Sequence, residues 1–169
     1  MVASTGRGVE DNGRVSALQS RLQIDLTAAM KQRDEVRTAT LRMALAALST
    51  EQTSGTSARE LSDDEVVTVL TREVKKRREA ADAFDAAGRG DTAARERAEE
   101  AVLREYLPEP LSESELQTLV ETAVASAAAS GATGPKAMGV VMKTLQPQVR
   151  GRADGKVVAA TVRQALAAG

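Results

Sequence analysis

The sequence predicts an all-α protein, with an N-terminal helical domain of about four helices followed by a small three-helix C-terminal domain. Three observations predict this fold class. Much of the hydrophobic content is alanine, the strongest helix former. Aromatic residues, which favour strands, make up only 1% of the chain. The apolar residues also recur at helical spacing, and capping residues, glycines and prolines separate the repeats.

The chain begins with a polar, glycine-rich stretch. Residues 1–14 are expected to form a disordered tail, because they offer little apolar surface to offset the entropy of ordering. A first helix is expected over about residues 16–31, where leucines recur on one face. Asp34 is suited to cap a second helix.

Two further helices are predicted before the first proline. Ser62 and Glu65 have the spacing of a capping box, so the third helix begins there. Gly88 and Gly90 interrupt its apolar repeat, and Asp91 is expected to cap a fourth helix. Because the connections are short, antiparallel packing around a narrow core is expected.

The segment Leu107-Pro108-Glu109-Pro110 is the predicted domain boundary. Two prolines within this segment remove two amide donors and disfavour helix on either side. The predicted domains are therefore residues 15–107 and residues 108–169.

Three short helices are expected after this boundary. Ser112 with Glu115 forms a second capping-box pattern. Thr133 and Pro135 mark the start of a sixth helix, since proline suits the first helical turn. Asp154 is suited to cap the last helix.

The composition excludes several kinds of active site. The chain has no Cys and no His, which removes thiol nucleophiles, imidazole bases and the usual zinc ligands. Neither a calcium-binding loop nor a glycine-rich phosphate motif occurs. We therefore expect no catalytic residue, no metal and no cofactor. Because no apolar run could span a bilayer and no signal core is present, a cytoplasmic protein without membrane association is expected.

Charge is unevenly distributed, although the whole chain carries a formal net charge of only −1. Residues 131–169 hold six basic residues and one acid, a balance of +5, whereas residues 59–130 have a balance of −7. This asymmetry indicates that the C-terminal part meets an anionic partner.

The densest cluster of positive charge spans residues 72–79 of the predicted third helix. Such a cluster can line a phosphate backbone. The favoured alternative is a solvated helix, because opposite charges at i, i+4 neutralise much of the cluster. Arg72 and Lys76 have no obvious partner at that spacing and stay candidates for binding. The expected pairs are Glu73 with Arg77, Lys75 with Glu79, and Arg78 with Asp82.

A second candidate site is the loop from Arg150 to Lys156. Its glycines suit a turn, and free amides at the following helix start, flanked by Arg150, Arg152 and Lys156, can hold a phosphate. In the alternative interpretation the loop is only a corner between helices, because the Asp154 carboxylate satisfies those amides and repels a phosphate. The two interpretations are evenly balanced, and in the second any anion is held by the arginines beside the cap.

Several motifs together resemble the GatB/YqeY family, specifically its stand-alone YqeY-like members. The most specific are Met-Gly-Val-Val-Met-Lys at residues 138–143 and Gly-Arg-Ala-Asp-Gly at residues 151–155. The resemblance covers nearly everything from residue 16 to residue 166. It implies an N-terminal helical domain and a three-helix domain similar to the tail of the B subunit of glutamine-dependent tRNA amidotransferase, which contacts the body of the tRNA.

The resemblance also implies an activity that this sequence does not support. Such families are labelled as carbon–nitrogen ligases with glutamine as amido donor. The catalytic domain of the B subunit is absent from this sequence, so the label describes the relative.

The preferred hypothesis is a non-catalytic module that interacts with RNA, and with tRNA in particular, through its basic C-terminal domain. A protein–protein adaptor is the alternative, and a carbon–nitrogen ligase is the third. The residues expected to contact nucleic acid are Lys143, Arg150, Arg152, Lys156, Lys136, Arg72, Lys76 and Arg42.

Overall fold

The computed structural model describes residues 15–168, and the predicted tail at residues 1–14 lies outside them. The described residues form helices connected by turns and contain no strand, so the all-α prediction is confirmed. The helices are α1 (Ala17–Gln32), α2 (Glu35–Gln52), α3 (Asp63–Ala86), α4 (Gly90–Arg104), α5 (Glu113–Ala129), α6 (Pro135–Val149) and α7 (Gly155–Ala168).

Several helices begin at the capping residues that the sequence predicts. The Asp34 carboxylate accepts a 2.9 Å hydrogen bond from a first-turn amide of α2. At α3 the amide of Ser62 donates to the Glu65 carboxylate over 2.9 Å, and the Glu65 amide donates back to the Ser62 hydroxyl. Ser112 and Glu115 form the same reciprocal pair at α5. These contacts satisfy amides that have no partner inside the helix.

One predicted helix start differs from the structure, at α4, whereas the start predicted from Pro135 is confirmed at α6. Asp91 does not cap α4; it lies in the first turn, where its charge complements the helix dipole, and Arg89 occupies the cap position without a side-chain hydrogen bond. The cap residue of α6 is Gly134, with a φ of 56° that favours glycine, and Pro135 follows it as the first helical residue.

The described chain divides into two compact units, one that extends to Val69 and one that begins at Leu70. In the first unit α1 packs against α2, and Leu22, Leu41 and Leu48 are completely buried. The start of α3 is joined to the start of α1, since the Asp63 carboxylate accepts hydrogen bonds from the Ser16 hydroxyl and the Leu18 amide. These bonds, first the one from Ser16, lower the pKa of Asp63.

In the second unit α5, α6 and α7 pack against one another around a common apolar core. Burial of this core is the main contribution to the stability of the three-helix arrangement. The buried core residues are Leu116, Val120, Ala123, Ala127, Val141, Leu145, Val158 and Val162.

The division between the two units lies within α3 and does not coincide with the predicted boundary between residues 107 and 108. Hydrogen bonds fix the proline-containing segment to the rest of the second unit. The Leu111 amide donates to the Arg152 carbonyl over 2.9 Å, and the Arg152 side chain donates to the Glu109 carbonyl over 2.9 Å. The four-plus-three arrangement of domains therefore stays a prediction.

Candidate nucleic-acid interface

One face of α6 presents two lysines to solvent. Lys136 and Lys143 are both exposed and lie at i, i+7, so the helical rise separates them by about 10 Å along the same side of α6. Gly139 and Val140 lie between them, and Val140 is 41% exposed. The face therefore combines separated positive charges with short intervening residues.

A similar pair lies on α7. Lys156 and Arg163 are exposed and also lie at i, i+7. The sequence prediction included Lys156 but omitted Arg163, although the i, i+7 spacing from Lys156 was visible and could have identified it. The two helices each contribute one pair of exposed basic side chains.

Within residues 15–168, none of these four side chains forms an ion pair with a carboxylate. Among the residues that the structure describes, no acidic group lies within ion-pair distance of Lys136, Lys143, Lys156 or Arg163. The composition explains this, because Asp154 is the only acid between residues 122 and 169. The positive charges of Lys136, Lys143 and Arg163 are therefore available to an external anion, whereas the charge of Lys156 also acts on Asp154 and helps to lower the pKa of that carboxyl.

Asp154 itself is committed to the start of α7. Its Oδ1 accepts a 2.7 Å hydrogen bond from the Lys156 amide, and its Oδ2 lies 3.7 Å from the Lys75 ammonium. The hydrogen bond from the Lys156 amide, followed by the charge of Lys75, lowers the pKa of the Asp154 carboxyl despite partial burial. A carboxylate therefore occupies the position that a phosphate at this helix start would need.

The two arginines of the loop have structural contacts. Arg152 is half-buried, and its Nε donates to the Glu109 carbonyl over 2.9 Å. Arg150 is half-buried at the C-terminal end of α6, where its amide donates to the Gln146 carbonyl, and it takes part in a further interaction. Gly151 has a φ of 69°, as the predicted turn requires. The loop therefore forms a turn between α6 and α7, and Arg152 of this turn makes hydrogen bonds with residues 109 and 111.

The basic cluster of α3 is largely paired with carboxylates. Arg77 is the most buried member, with a side chain only 5% exposed, and it lies 2.8 Å from Glu73 and 3.4 Å from Glu99 of α4. Burial by itself would raise the pKa of Glu73, but Lys76 and Arg77 reverse this effect and lower it. A buried cation between two carboxylates joins α3 to α4 and is inaccessible to a phosphate backbone.

Only the first of the three predicted i, i+4 pairs is found with the predicted partner. Glu73 pairs with Arg77, whereas Lys75 lies near Asp154, and Arg78 lies 3.1 Å from Glu100 of α4. Long-range partners at these positions replace the local ones. The charges are neutralised as expected, but partly by other elements of the second unit.

Three other predicted contact residues lie outside both the α6 and α7 faces and the loop between these helices. Lys76, predicted to lack a partner at i, i+4 spacing, pairs with Glu73 at i, i−3 over 2.7 Å. Arg72 is exposed on α3 and also takes part in an interaction. Arg42 belongs to the first unit, where its Nη2 lies 3.2 Å from the sulfur of Met30.

A groove of about 580 Å³ lies within the second unit, between α3 and the region of α5, α7 and the Arg150 loop. Its charged lining is balanced, with four basic and four acidic side chains, so it offers no net attraction for an anion. Arg152 is the only predicted contact residue in its lining. The charged lining residues are Lys75, Arg78, Arg104, Arg152, Glu79, Asp82, Glu113 and Asp154.

Neither aromatic side chain offers an open ring for stacking. Tyr106 is only 4% exposed, and the Arg89 guanidinium lies 4.8 Å from the centroid of the half-buried Phe84 ring. Both residues also lie outside α6 and α7. Recognition of splayed bases on an aromatic surface is therefore not supported by this arrangement.

Two further properties bear on possible partners. Across residues 15–168, no group of three or more His, Cys, Asp or Glu side chains is placed to hold a metal ion. No helix of that same range is long and apolar enough to cross a membrane.

Comparison with known proteins assigns the chain to a family. No curated protein matches the sequence. The family model described as Yqey-like protein matches residues 19–166, which is most of the chain and includes all seven described helices in whole or in large part. The resemblance stated from residues 138–143 and 151–155 is thereby confirmed, and the chain belongs to the YqeY-like family.

Proposed function

We propose that this protein is a non-catalytic RNA-binding module that contacts the phosphate backbone through the exposed basic side chains of α6 and α7. The observation that carries the proposal is that Lys136, Lys143, Lys156 and Arg163 are exposed and have no acidic partner among the described residues. This set retains three residues of the sequence prediction and adds Arg163.

The physical basis of the proposal is the release of counterions from the nucleic acid. A lysine or arginine that neutralises a phosphate displaces condensed cations, so binding weakens steeply as salt concentration rises. An ion-paired cation contributes less, because its carboxylate partner must first be displaced or must approach the phosphate itself. The basic side chains of α6 and α7 have no such partner within the described part of the chain.

The proposed target class is tRNA. The sequence motifs of the C-terminal segment resemble the tail of the amidotransferase B subunit, and in that relative the tail contacts the body of the tRNA. The absence of an available aromatic ring in α5, α6 and α7 agrees with recognition through backbone and shape. Support for tRNA over other structured RNA comes from the resemblance alone.

Fluorescence anisotropy with labelled tRNA at several salt concentrations tests the proposal. Wild-type protein is expected to bind at low salt with a steep salt dependence. Replacing Lys136, Lys143, Lys156 and Arg163 together with alanine is expected to flatten the slope of log K against log salt by about four units, one for each lost phosphate contact. If wild-type protein shows no salt-dependent binding at low salt, the proposal is wrong.

The non-catalytic part of the proposal has its own test. The family label predicts release of ammonia from glutamine by the purified protein. We expect no release above the buffer background, since the chain has no Cys or His to supply a nucleophile or a general base. Release that disappears on replacing a single residue contradicts this expectation.

A protein–protein adaptor is the second candidate function, and one observation favours it. The first unit exposes large apolar side chains, with Ile24 at 68%, Met43 at 52% and Met30 at 43%. Exposed apolar residues of this size are candidates for contact with a protein partner. Affinity purification after nuclease treatment tests this function, because a stoichiometric protein recovered without RNA favours the adaptor.

A further inference from the structure

We infer that the exposed face of α6 recognises double-helical RNA, in the shallow minor groove of an A-form helix. This inference rests on the proposed function and specifies the RNA conformation that the site takes. The face is defined by Lys136, Gly139, Val140 and Lys143.

The first argument concerns the spacing of the charges. Lys136 and Lys143 are held on one side of a helix about 10 Å apart along its axis, so together they can reach two separate phosphates of one backbone. Positions fixed in this way match a backbone of regular geometry. A flexible single strand gains no corresponding advantage, because it loses conformational freedom when it adapts to the helix.

The second argument concerns the residues between the lysines. Gly139 has no side chain, and no atom outside its own helix lies within 4 Å of the position that a Cβ would occupy. Val140 is 41% exposed and presents only a short apolar side chain. The helix surface between the two charges is therefore low and open. A wide, shallow groove that displays ribose edges accommodates such a surface, whereas the deep and narrow major groove of A-form RNA does not.

The third argument concerns the bases. Single-stranded RNA is recognised mainly by stacking of its bases on aromatic or arginine side chains and by hydrogen bonds to base edges. The sequence has no aromatic residue after Tyr106, and the α6 face contains no arginine and no amide side chain between its lysines. The face offers contacts to phosphate and sugar, which a duplex presents in a regular array.

The test compares a short RNA duplex with an unstructured oligo(U) strand that has the same total number of phosphates. Wild-type full-length protein is expected to bind the duplex about tenfold more tightly in anisotropy titrations at one salt concentration. Equal or tighter binding of oligo(U) overturns the inference but leaves the proposed RNA binding intact. Absence of binding to either RNA at low salt contradicts the proposed function itself.

Two variants test the contact without removing a lysine. Gly139→Leu adds a bulky side chain where open space allows it, and we expect it to weaken duplex binding about tenfold while changing oligo(U) binding little. Val140→Glu is expected to weaken duplex binding by a similar factor of about ten through repulsion of phosphate. Ala125→Glu, at an exposed position of α5, is the matched control for charge.

Circular dichroism and thermal unfolding show whether these variants keep the wild-type fold. If Gly139→Leu weakens duplex and oligo(U) binding equally, the duplex inference is overturned. If Val140→Glu and the Ala125→Glu control weaken duplex binding equally, the contact of the α6 face with RNA is overturned.

Discussion

The basic residues of α3 and α4 and those of α6 and α7 have opposite surroundings. On α3 and α4 most of the basic side chains have a carboxylate within 4 Å, and Arg77 is almost completely buried between two of them. On α6 and α7 the basic side chains are fewer but exposed, and no described acidic group pairs with them. The region with more basic residues in its sequence is therefore the less suitable one for binding an anion.

This difference shows that ion pairing with carboxylates, more than the number of basic residues, determines whether the positive charges of a helix can bind an external anion. In α3 and α4 the ion pairs connect two helices and contribute to the fold. In α6 and α7 nearly all acidic residues are missing, and the remaining one, Asp154, caps a helix. The two regions should consequently respond differently to substitution, to pH and to salt.

The largest expected effect on stability follows from removing the buried cation of α3. Arg77→Ala leaves the buried Glu73 and Glu99 with only their exposed partners Lys76 and Arg95, which should lower the free energy of unfolding by about 3 kcal/mol. Urea unfolding monitored by circular dichroism measures this change. Lys143→Ala is the control, and its exposed, unpaired side chain should leave stability within about 0.5 kcal/mol of wild type. If Arg77→Ala and Lys143→Ala lose similar amounts of free energy of unfolding, the proposed difference between buried, paired cations and exposed, unpaired ones is wrong.

Acid should destabilise the protein through the paired carboxylates. The pKa values of Asp63, Glu73 and Asp154 are lower in the folded protein than the ordinary values of 3.8 for Asp and 4.5 for Glu. The unfolded chain therefore takes up protons first as pH falls, so the stabilisation is complete above about pH 5 and is lost progressively below it. Unfolding measured between neutral pH and pH 3 checks this, and Glu73→Gln should reduce the dependence. If the free energy of unfolding stays constant or rises towards pH 3, these carboxylates do not stabilise the folded protein as proposed.

Substitutions of Asp154 should change stability less than Arg77→Ala does, and they separate the capping role of this residue from the effect of its charge on tRNA binding. Asp154→Ala removes the cap of α7 and should cost about 1 kcal/mol of stability. Asp154→Asn keeps a side-chain acceptor for the Lys156 amide but removes the only acidic charge of the C-terminal segment, so it should retain most of the stability and strengthen tRNA binding. Thermal unfolding and anisotropy titrations separate the two roles. Weaker tRNA binding by a stably folded Asp154→Asn variant indicates that Asp154 does not oppose the anion.

The smallest expected change concerns the exposed ion pairs of α3 and α4. Lys76 and Arg95 have side chains that are 68% and 62% exposed, and each pairs with a carboxylate of its own helix. Replacing either residue with alanine should change the free energy of unfolding by less than about 1 kcal/mol, since exposed pairs contribute little. If either alanine variant loses as much free energy of unfolding as Arg77→Ala, the exposed and buried ion pairs contribute equally to stability and the prediction is wrong.

Local features of the sequence predicted most of the fold. Capping residues such as Ser62 and Ser112 identified helix starts because their hydrogen bonds reach only three residues along the chain. The prediction that Asp91 caps α4 was wrong because aspartate is favoured both at the cap position and in the first helical turn, where Asp91 lies. The family was identifiable from the two short motifs at residues 138–143 and 151–155.

Contacts between distant segments were not predictable in this way. The pairing of Arg78 with Glu100, and the hydrogen bond from Arg152 to the Glu109 carbonyl, depend on how helices and loops meet in three dimensions. The first contact replaces the predicted pair of Arg78 with Asp82, and the second engages Arg152, a side chain that the sequence prediction assigned to phosphate. Lys136 and Lys143 were also predicted from the sequence as contacts to nucleic acid, and that role stays a prediction; the structure places both side chains in solvent.

A direct comparison of two double variants tests the central contrast between the two regions. Lys136→Ala with Lys143→Ala removes two unpaired charges from α6, and Lys76→Ala with Arg95→Ala removes two exposed but paired charges from α3 and α4. We predict that the first double variant flattens the salt dependence of tRNA binding by about two units of slope, whereas the second leaves it nearly unchanged. Equal effects of the two double variants, or a larger effect of the second, would contradict the assignment of the RNA-binding surface to α6 and α7.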